Sequence, residues 1–294
     1  MTRASPILSA PELAGRLAGG DRVRLVDCRW VLGVPGAGRA RYDEGHLPGA
    51  VHVDLDDALT DPAGLGAPGR HPLPSPTAFA AAMRAIGVRD GDLVVAYDDV
   101  GGWVAARLWW MLENLGHPEV AVLDGGIQAW LAAGGSLTTA EPPVVPAGPD
   151  ELHLGGAWTG VILRDELKRR LGDVVLLDAR AAERYRGETE PIDPVAGHIP
   201  TARSAPIDGN LAEPAGAFLP APALAARFAA LAADGSDGPV VTSCGSGVSA
   251  LHHSLAMRIA GLPDPILYVG SYSDWSRSGE PVATGAEPGD LAPE

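Results

Sequence analysis

Four short motifs occur twice in this chain, in one order and at nearly constant separation. Arg24-Leu25-Val26-Asp27-Cys28-Arg29 matches Val175-Leu176-Leu177-Asp178-Ala179-Arg180 at an offset of 151, and Gly45-His46-Leu47-Pro48-Gly49-Ala50 matches Gly197-His198-Ile199-Pro200-Thr201-Ala202 at 152. Leu93-Val94-Val95-Ala96-Tyr97-Asp98 matches Pro239-Val240-Val241-Thr242-Ser243-Cys244 at 146, and Leu123-Asp124-Gly125-Gly126 with Trp130 matches Tyr268-Val269-Gly270-Ser271 with Trp275 at 145. Self-similarity of this kind is the mark of a duplicated structural unit. The 294 residues therefore divide into two copies of one domain of roughly 130–150 residues.

The segment Glu141-Pro142-Pro143-Val144-Val145-Pro146-Ala147-Gly148-Pro149-Asp150 separates the copies. Its prolines oppose both helix and central strand, so it reads as a stiff linker between domains at 1–140 and 151–294. Within each copy, short β-branched runs alternate with helical patterns such as Ser75–Ile86, Trp103–Leu115 and Pro222–Ala233. Alternation of this kind predicts an α/β fold, a parallel sheet with helices on both faces. In such sheets reactive loops lie beyond the C-terminal ends of strands, where Asp98 and Cys244 fall.

Cys244 follows a buried-strand run and precedes Gly245-Ser246-Gly247-Val248-Ser249-Ala250, a small-residue loop leading into an apolar helical stretch. Loop N–H groups and a helix N-terminus favour a thiolate, and the thiolate is the nucleophile. Phosphate-ester chemistry on such a loop needs an arginine six residues after the cysteine, and Ala250 stands there instead. The other cysteine, Cys28, lies 216 positions away, so neither a disulfide framework nor a zinc pattern can be built. No metal or organic cofactor is expected.

Taken together, the Asp-x-Arg strand end, the Gly-His-Ile-Pro turn, the cysteine loop and the Gly-x-x-x-x-Trp element resemble the rhodanese (sulfurtransferase) superfamily in its tandem form. The resemblance implies two rhodanese-like domains, each a mainly parallel five-stranded sheet flanked by helices. It also implies that only the C-terminal copy is catalytic, because Asp98 occupies the place of Cys244 in the first copy. Asp98 is then expected to cap the following helix. In the expected chemistry the Cys244 thiolate takes sulfur from a donor as a persulfide. The N–H groups from Gly245 through Gly247 and Val248 to Ser249 hold the terminal sulfur anion, and an acceptor then removes it.

The uncharged Gly245-Ser246 pair is similar to the loop of 3-mercaptopyruvate sulfurtransferases, whereas thiosulfate-preferring relatives place basic residues there. By the same resemblance Ser246, His71 and Asp56 form a proton-handling set, with His71 and Asp56 from the N-terminal domain and the site in an interdomain cleft. Arg184 is implied as the first arginine on the donor carboxylate. The second falls in Glu190-Pro191-Ile192-Asp193-Pro194, which holds no arginine, and Arg186 is the nearest alternative. The alternatives kept open are thiosulfate:cyanide sulfurtransfer, a persulfide carrier serving a partner protein, and an oxidant-sensing thiol.

A net charge of −15 argues against nucleic acid, and means that an anionic donor needs a local positive site. No secretory leader or bilayer-spanning run is expected, so a reducing cytoplasm is the default setting. The expected partners are a small-molecule donor and a thiol acceptor such as thioredoxin or a low-molecular-weight thiol, with no membrane. Cys28, His46, His198, Trp103, Trp109, Trp110, His252 and His253 are expected to be structural.

Overall fold

A computed structural model of the chain describes residues 5–142, 151–212 and 216–290. Most of the expected linker, 143–150, lies outside the described residues. The described residues group into two compact units.

The first unit carries β1 (Ile7–Leu8), α1 (Ala10–Gly19), β2 (Val23–Asp27), α2 (Ala37–Glu44), β3 (Val51–His52), α3 (Pro76–Ala85), β4 (Leu93–Tyr97), α4 (Ala105–Asn114), β5 (Val120–Leu123) and α5 (Gly126–Ala132). Local chemistry sets the helix ends. Ser9 and Glu12 form a reciprocal capping box on α1, and Ser75 caps α3 with Pro76 just inside it. The sheet runs β1-β5-β4-β2-β3 with every pairing parallel.

The second unit repeats this with β6 (Val161–Ile162), α6 (Arg164–Arg170), β7 (Val175–Asp178), α7 (Ala182–Tyr185) and β8 (Arg203–Ser204). Next in the chain come β9 (Leu211–Ala212) and β10 (Ala217–Phe218), then α8 (Ala221–Ala230), β11 (Val240–Ser243), α9 (Ala250–Ile259), β12 (Ile266–Tyr268) and α10 (Ser271–Trp275). Its sheet, β6-β12-β11-β7-β8, is again all parallel and strand for strand equivalent to the first. Equivalent residues fill the two cores: Leu25, Val95 and Trp130 in one, Leu176, Val241 and Trp275 in the other. The expected α/β class with two five-stranded sheets is the observed one.

The units are not two uninterrupted blocks of chain. Asp61–Leu73 packs in the second unit, and Leu211–Phe218, the antiparallel hairpin of β9 and β10, packs in the first. The sequence division at 140 and 151 does not anticipate these exchanges, because both segments lie inside copies whose flanking motifs match. The glycines of the first segment explain its course. A side chain at Gly66, whose φ is +90°, would run into Val269, and one at Gly69 would lie 2.9 Å from the Gly270 oxygen. Only a backbone without Cβ atoms can lie this close to the turn after β12.

The repeated motifs are structural clamps. Asp27 and Asp178 each hold the arginine two residues on, Arg29 and Arg180, through buried bidentate contacts. Each arginine then donates 2.7 Å to a glycine carbonyl of the Gly-His turn, Gly45 or Gly197. The turn histidines His46 and His198 stack on Tyr42 and Tyr185 at 3.8 and 3.7 Å and bond backbone carbonyls. Removing one partner of such a buried pair costs about 3–5 kcal/mol, which makes the clamp a strong constraint on strand ends.

Candidate functional site

Cys244 lies at the end of β11, where the chain leaves the sheet for α9, and is 1% exposed. Its Sγ accepts the N–H groups of Gly247 at 3.1 Å and Ser246 at 3.4 Å. The curl that aims these donors needs Gly247, which has φ +79° and whose missing side chain would strike the Val269 carbonyl oxygen. Val248 and Ser249 lead into the helix, with their carbonyls accepting from Leu251 and His252. Behind the loop, the Cys244 N–H donates to Ser271 Oγ, and the Cys244 and Gly245 carbonyls accept from Tyr272 and Ser273. The loop is thus pinned by the first residues of α10. Ser271, with φ +51°, stands in the sequence only as part of a repeated motif, since a serine after one glycine carries no functional signal of its own.

The first unit supplies an internal comparison. Asp98 occupies the equivalent strand end, and its carboxylate accepts four backbone N–H groups, from Val100, Gly102, Val104 and Ala105, at 2.8–3.0 Å. Asp98 therefore caps α4, and it does more than cap. The same strand-loop-helix geometry forms a ring of donors around an anion, and here the anion is built into the chain.

Ser246 and His71 come together in the second unit: Ser246 Oγ and His71 Nδ1 are 2.7 Å apart, and both residues are buried. His71 is delivered by the 61–73 segment, an antiparallel excursion closed by the Leu65–Leu73 pairing. Asp56 belongs to the first unit, where its Oδ2 accepts the Trp30 indole N–H at 2.9 Å.

Charge is concentrated around the loop. Arg180 lies 3.8 Å over the Tyr272 ring and reaches Glu190, and Glu190 in turn holds Arg184 at 2.7 Å. Burial alone would raise the Glu190 carboxyl, yet Arg184 and the N–H groups of Asp193 and Ile192 hold it below the ordinary range. Asp193, whose side chain is fully buried, accepts from Arg70, Arg184 and Arg277. Four guanidinium groups thus meet three carboxylates (Asp178, Glu190 and Asp193), a local surplus of one positive charge in a strongly acidic chain. Arg186, the nearest alternative second arginine, is instead engaged with Glu188 at 2.7 Å. The sequence reading passed over Arg70, Asp193 and Arg277; the one available signal was Arg70's adjacency to His71.

The remaining candidates are structural. Burial, with Asp27 and Asp98 beside it, pushes the Cys28 thiol well above its ordinary value. Trp103 meets Trp30 edge to face, Trp109 is buried, and Trp110 stacks on Trp158. The Asn210 amide contacts Nδ1 of both His252 and His253 at 3.0 Å and accepts from Arg227, a closed network beneath α9. No helix among the described residues is long and apolar enough to cross a membrane.

Comparison with known proteins agrees with this geometry. The rhodanese-like domain model matches twice, at residues 9–133 and 163–278. The chain is 45% identical over 287 residues to a probable 3-mercaptopyruvate sulfurtransferase of Pseudomonas aeruginosa, covering 95% of this chain and 98% of that one. It is 43% identical over 278 residues to a putative thiosulfate sulfurtransferase of Mycobacterium tuberculosis, covering 93% and 95%. Among solved structures, a 3-mercaptopyruvate sulfurtransferase from Leishmania major superposes with a TM-score of 0.79 at 32% identity, over 92% of this chain and 74% of that one. The chain belongs to the rhodanese family in its tandem-domain form, and it is a sulfurtransferase.

Proposed function

We propose that the chain moves sulfane sulfur from 3-mercaptopyruvate to a thiol through a persulfide on Cys244. One observation carries the choice of donor: an uncharged loop, Gly245-Ser246, faced by an arginine, Arg184, whose Nη1 would lie 3.6 Å from a side chain at Gly245. That arrangement suits a monocarboxylate extending away from the reacting sulfur.

The Cys244 thiolate attacks the donor sulfur, and the carbon–sulfur bond breaks with its electron pair remaining on carbon. The resulting enolate takes up the proton from the transferred sulfhydryl and becomes pyruvate, leaving Cys-S-S⁻. The Ser246–His71 pair is positioned to pass that proton, which is general acid–base work. The outer sulfur, now anionic, is stabilised by the loop N–H groups, two of which already reach the Cys244 sulfur, in the manner of the donors around Asp98 in the first unit. An acceptor thiolate, from thioredoxin or a low-molecular-weight thiol in a reducing cytoplasm, then removes the outer sulfur and returns Cys244 as thiolate.

Thiosulfate is the second reading, favoured by the local surplus of positive charge, which suits a dianion. Comparing kcat/KM for the two donors, with Cys244→Ser as control, tests both. Higher kcat/KM for 3-mercaptopyruvate and silence of the variant are expected. A preference for thiosulfate would overturn the donor, and turnover by Cys244→Ser would overturn the mechanism.

A further inference from the structure

Arg70 sits in the excursion that also carries His71, and its placement is unusual. Its Nη1 donates to the buried Asp193 carboxylate, and its backbone N–H donates to Ser273 Oγ at 3.0 Å. Both anchors belong to the second unit, so main chain and side chain are fixed together. The other side of the guanidinium is not used up. Nη2 has no hydrogen-bond partner among the described residues, and Nε is buried without one. Arg184 is in the same condition: its Nε and Nη2 are spent on Glu190 and Asp193, whereas Nη1 has no partner among the described residues.

These two unspent nitrogens converge on one point. A Cβ built at Gly245, the residue after the nucleophile, would lie 2.9 Å from Arg70 Nη2 and 3.6 Å from Arg184 Nη1. The absence of a side chain at Gly245 lets both guanidinium groups close against the loop, one residue from Cys244. Glu190 and Asp193 are already engaged with these guanidinium groups through their other nitrogens. Two planar cations that bring unspent nitrogens to the same residue of the loop match the two oxygens of a carboxylate.

We infer that Arg70 is the second donor-binding arginine: with Arg184 it clamps the carboxylate of the α-keto acid, replacing the arginine missing from Glu190–Pro194. The inference rests on the donor reading above and adds the residue that sets donor specificity. The sequence places the expected arginine in the segment after Arg184, whereas the fold brings Arg70 from residues 61–73.

The test uses Arg70→Met and Arg70→Lys in the full chain, with three readouts. Pyruvate, the carboxylate product, is titrated calorimetrically against wild type and variants. KM and kcat are measured for 3-mercaptopyruvate. The rate of Cys244 alkylation by iodoacetamide, an uncharged reagent, reports whether the loop itself is intact. Arg70→Met is expected to weaken pyruvate binding and raise KM together by about 10- to 100-fold, the worth of one charge-assisted hydrogen bond at a desolvated site. Its kcat stays within a few fold of wild type and its iodoacetamide rate is unchanged. Arg70→Lys, which keeps the charge and loses the fork, recovers part of the affinity. Unchanged pyruvate affinity in Arg70→Met overturns the inference and leaves the donor reading standing. A matching change in the iodoacetamide rate overturns it too, because Arg70 would then act by shaping the loop. Failure of the wild type to bind pyruvate overturns both readings.

Discussion

Asp98 turns the first unit into a measurement of what the loop does for an anion. Its two oxygens share four buried N–H donors, so Asp98→Ala strands all four and leaves a donor-lined hole. A hydrogen bond to a charged acceptor contributes about 1.5–3 kcal/mol, and water entering the hole recovers part of the total, leaving a loss of about 3–6 kcal/mol. Six of the seven tryptophans (Trp30, Trp103, Trp109, Trp110, Trp130 and Trp158) lie in the first unit, so urea unfolding followed by tryptophan fluorescence reports mainly on it. The more pointed assay is rescue. Formate is the Asp98 carboxylate without its tether, and the vacated ring of donors should bind it. For a dissociation constant near ~10 mM, 100 mM formate restores about 1.4 kcal/mol to Asp98→Ala, and leaves the wild type unchanged. An Asp98→Ala protein less than about 1 kcal/mol below wild type, or one indifferent to formate, would refute the claim that this loop geometry is an anion site. The persulfide argument for the Cys244 loop would weaken with it.

Three further outcomes follow from the second unit. Gly247→Ala forces a side chain against the Val269 carbonyl at φ +79°, so about 1–3 kcal/mol of stability should be lost in denaturant, together with most of the iodoacetamide reactivity of Cys244. Ser246→Ala removes the hydroxyl at 2.7 Å from His71 and should lower kcat about 10²- to 10⁴-fold with little change in KM; an equal fall in pyruvate affinity would mark Ser246 as a binding group instead. His253 is held neutral, with its ionisation pushed down to about 3 by burial, then by His252 and Arg227. Its unfolded counterpart titrates near 6.5, so the stability it lends is complete above that value and is lost as pH falls toward 3. About 2 kcal/mol should disappear between pH 7 and pH 5, and His253→Gln should flatten that slope in urea titrations.

The repeat made the fold legible, because strand ends, Gly-His turns and tryptophans appear twice in one order, and each pair serves the same clamp in both sheets. The loop that holds Cys244 was legible for a related reason: a thiol followed by small residues after a buried strand predicts a tight turn around the sulfur, and N–H groups of Ser246 and Gly247 do reach it. The surroundings of the thiol were harder to read. Arg70, Asp193 and Arg277 meet across more than two hundred positions of chain, and no periodicity or spacing encodes that meeting. The resemblance pairs His71 with Ser246, which it meets, but does not give its unit, since residues 61–73 group with the second unit and not with the copy in which they are written. The glycines of that segment look like filler in sequence, and in the structure they are what permits the close approach to Val269 and Gly270.

The two loops suggest how a single duplication yields one working site. Each strand end builds a ring of N–H donors, and such a ring is stable only when something negative or strongly accepting fills it. Asp98 fills the first permanently, so that loop is stable and inert. In the second, the Cys244 sulfur fills it partially, with two donors engaged, and on the mechanism proposed above a transferred sulfur would complete it. The chain's charge of −15 does not oppose an anionic donor at that position. Charges beyond a Debye length of about 8 Å are screened at physiological ionic strength, while the guanidinium nitrogens near Gly245 stand at contact range from the loop. On the proposed reading, the few ångströms around Gly245, and not the distant acidic surface, decide which donor stays long enough to give up its sulfur.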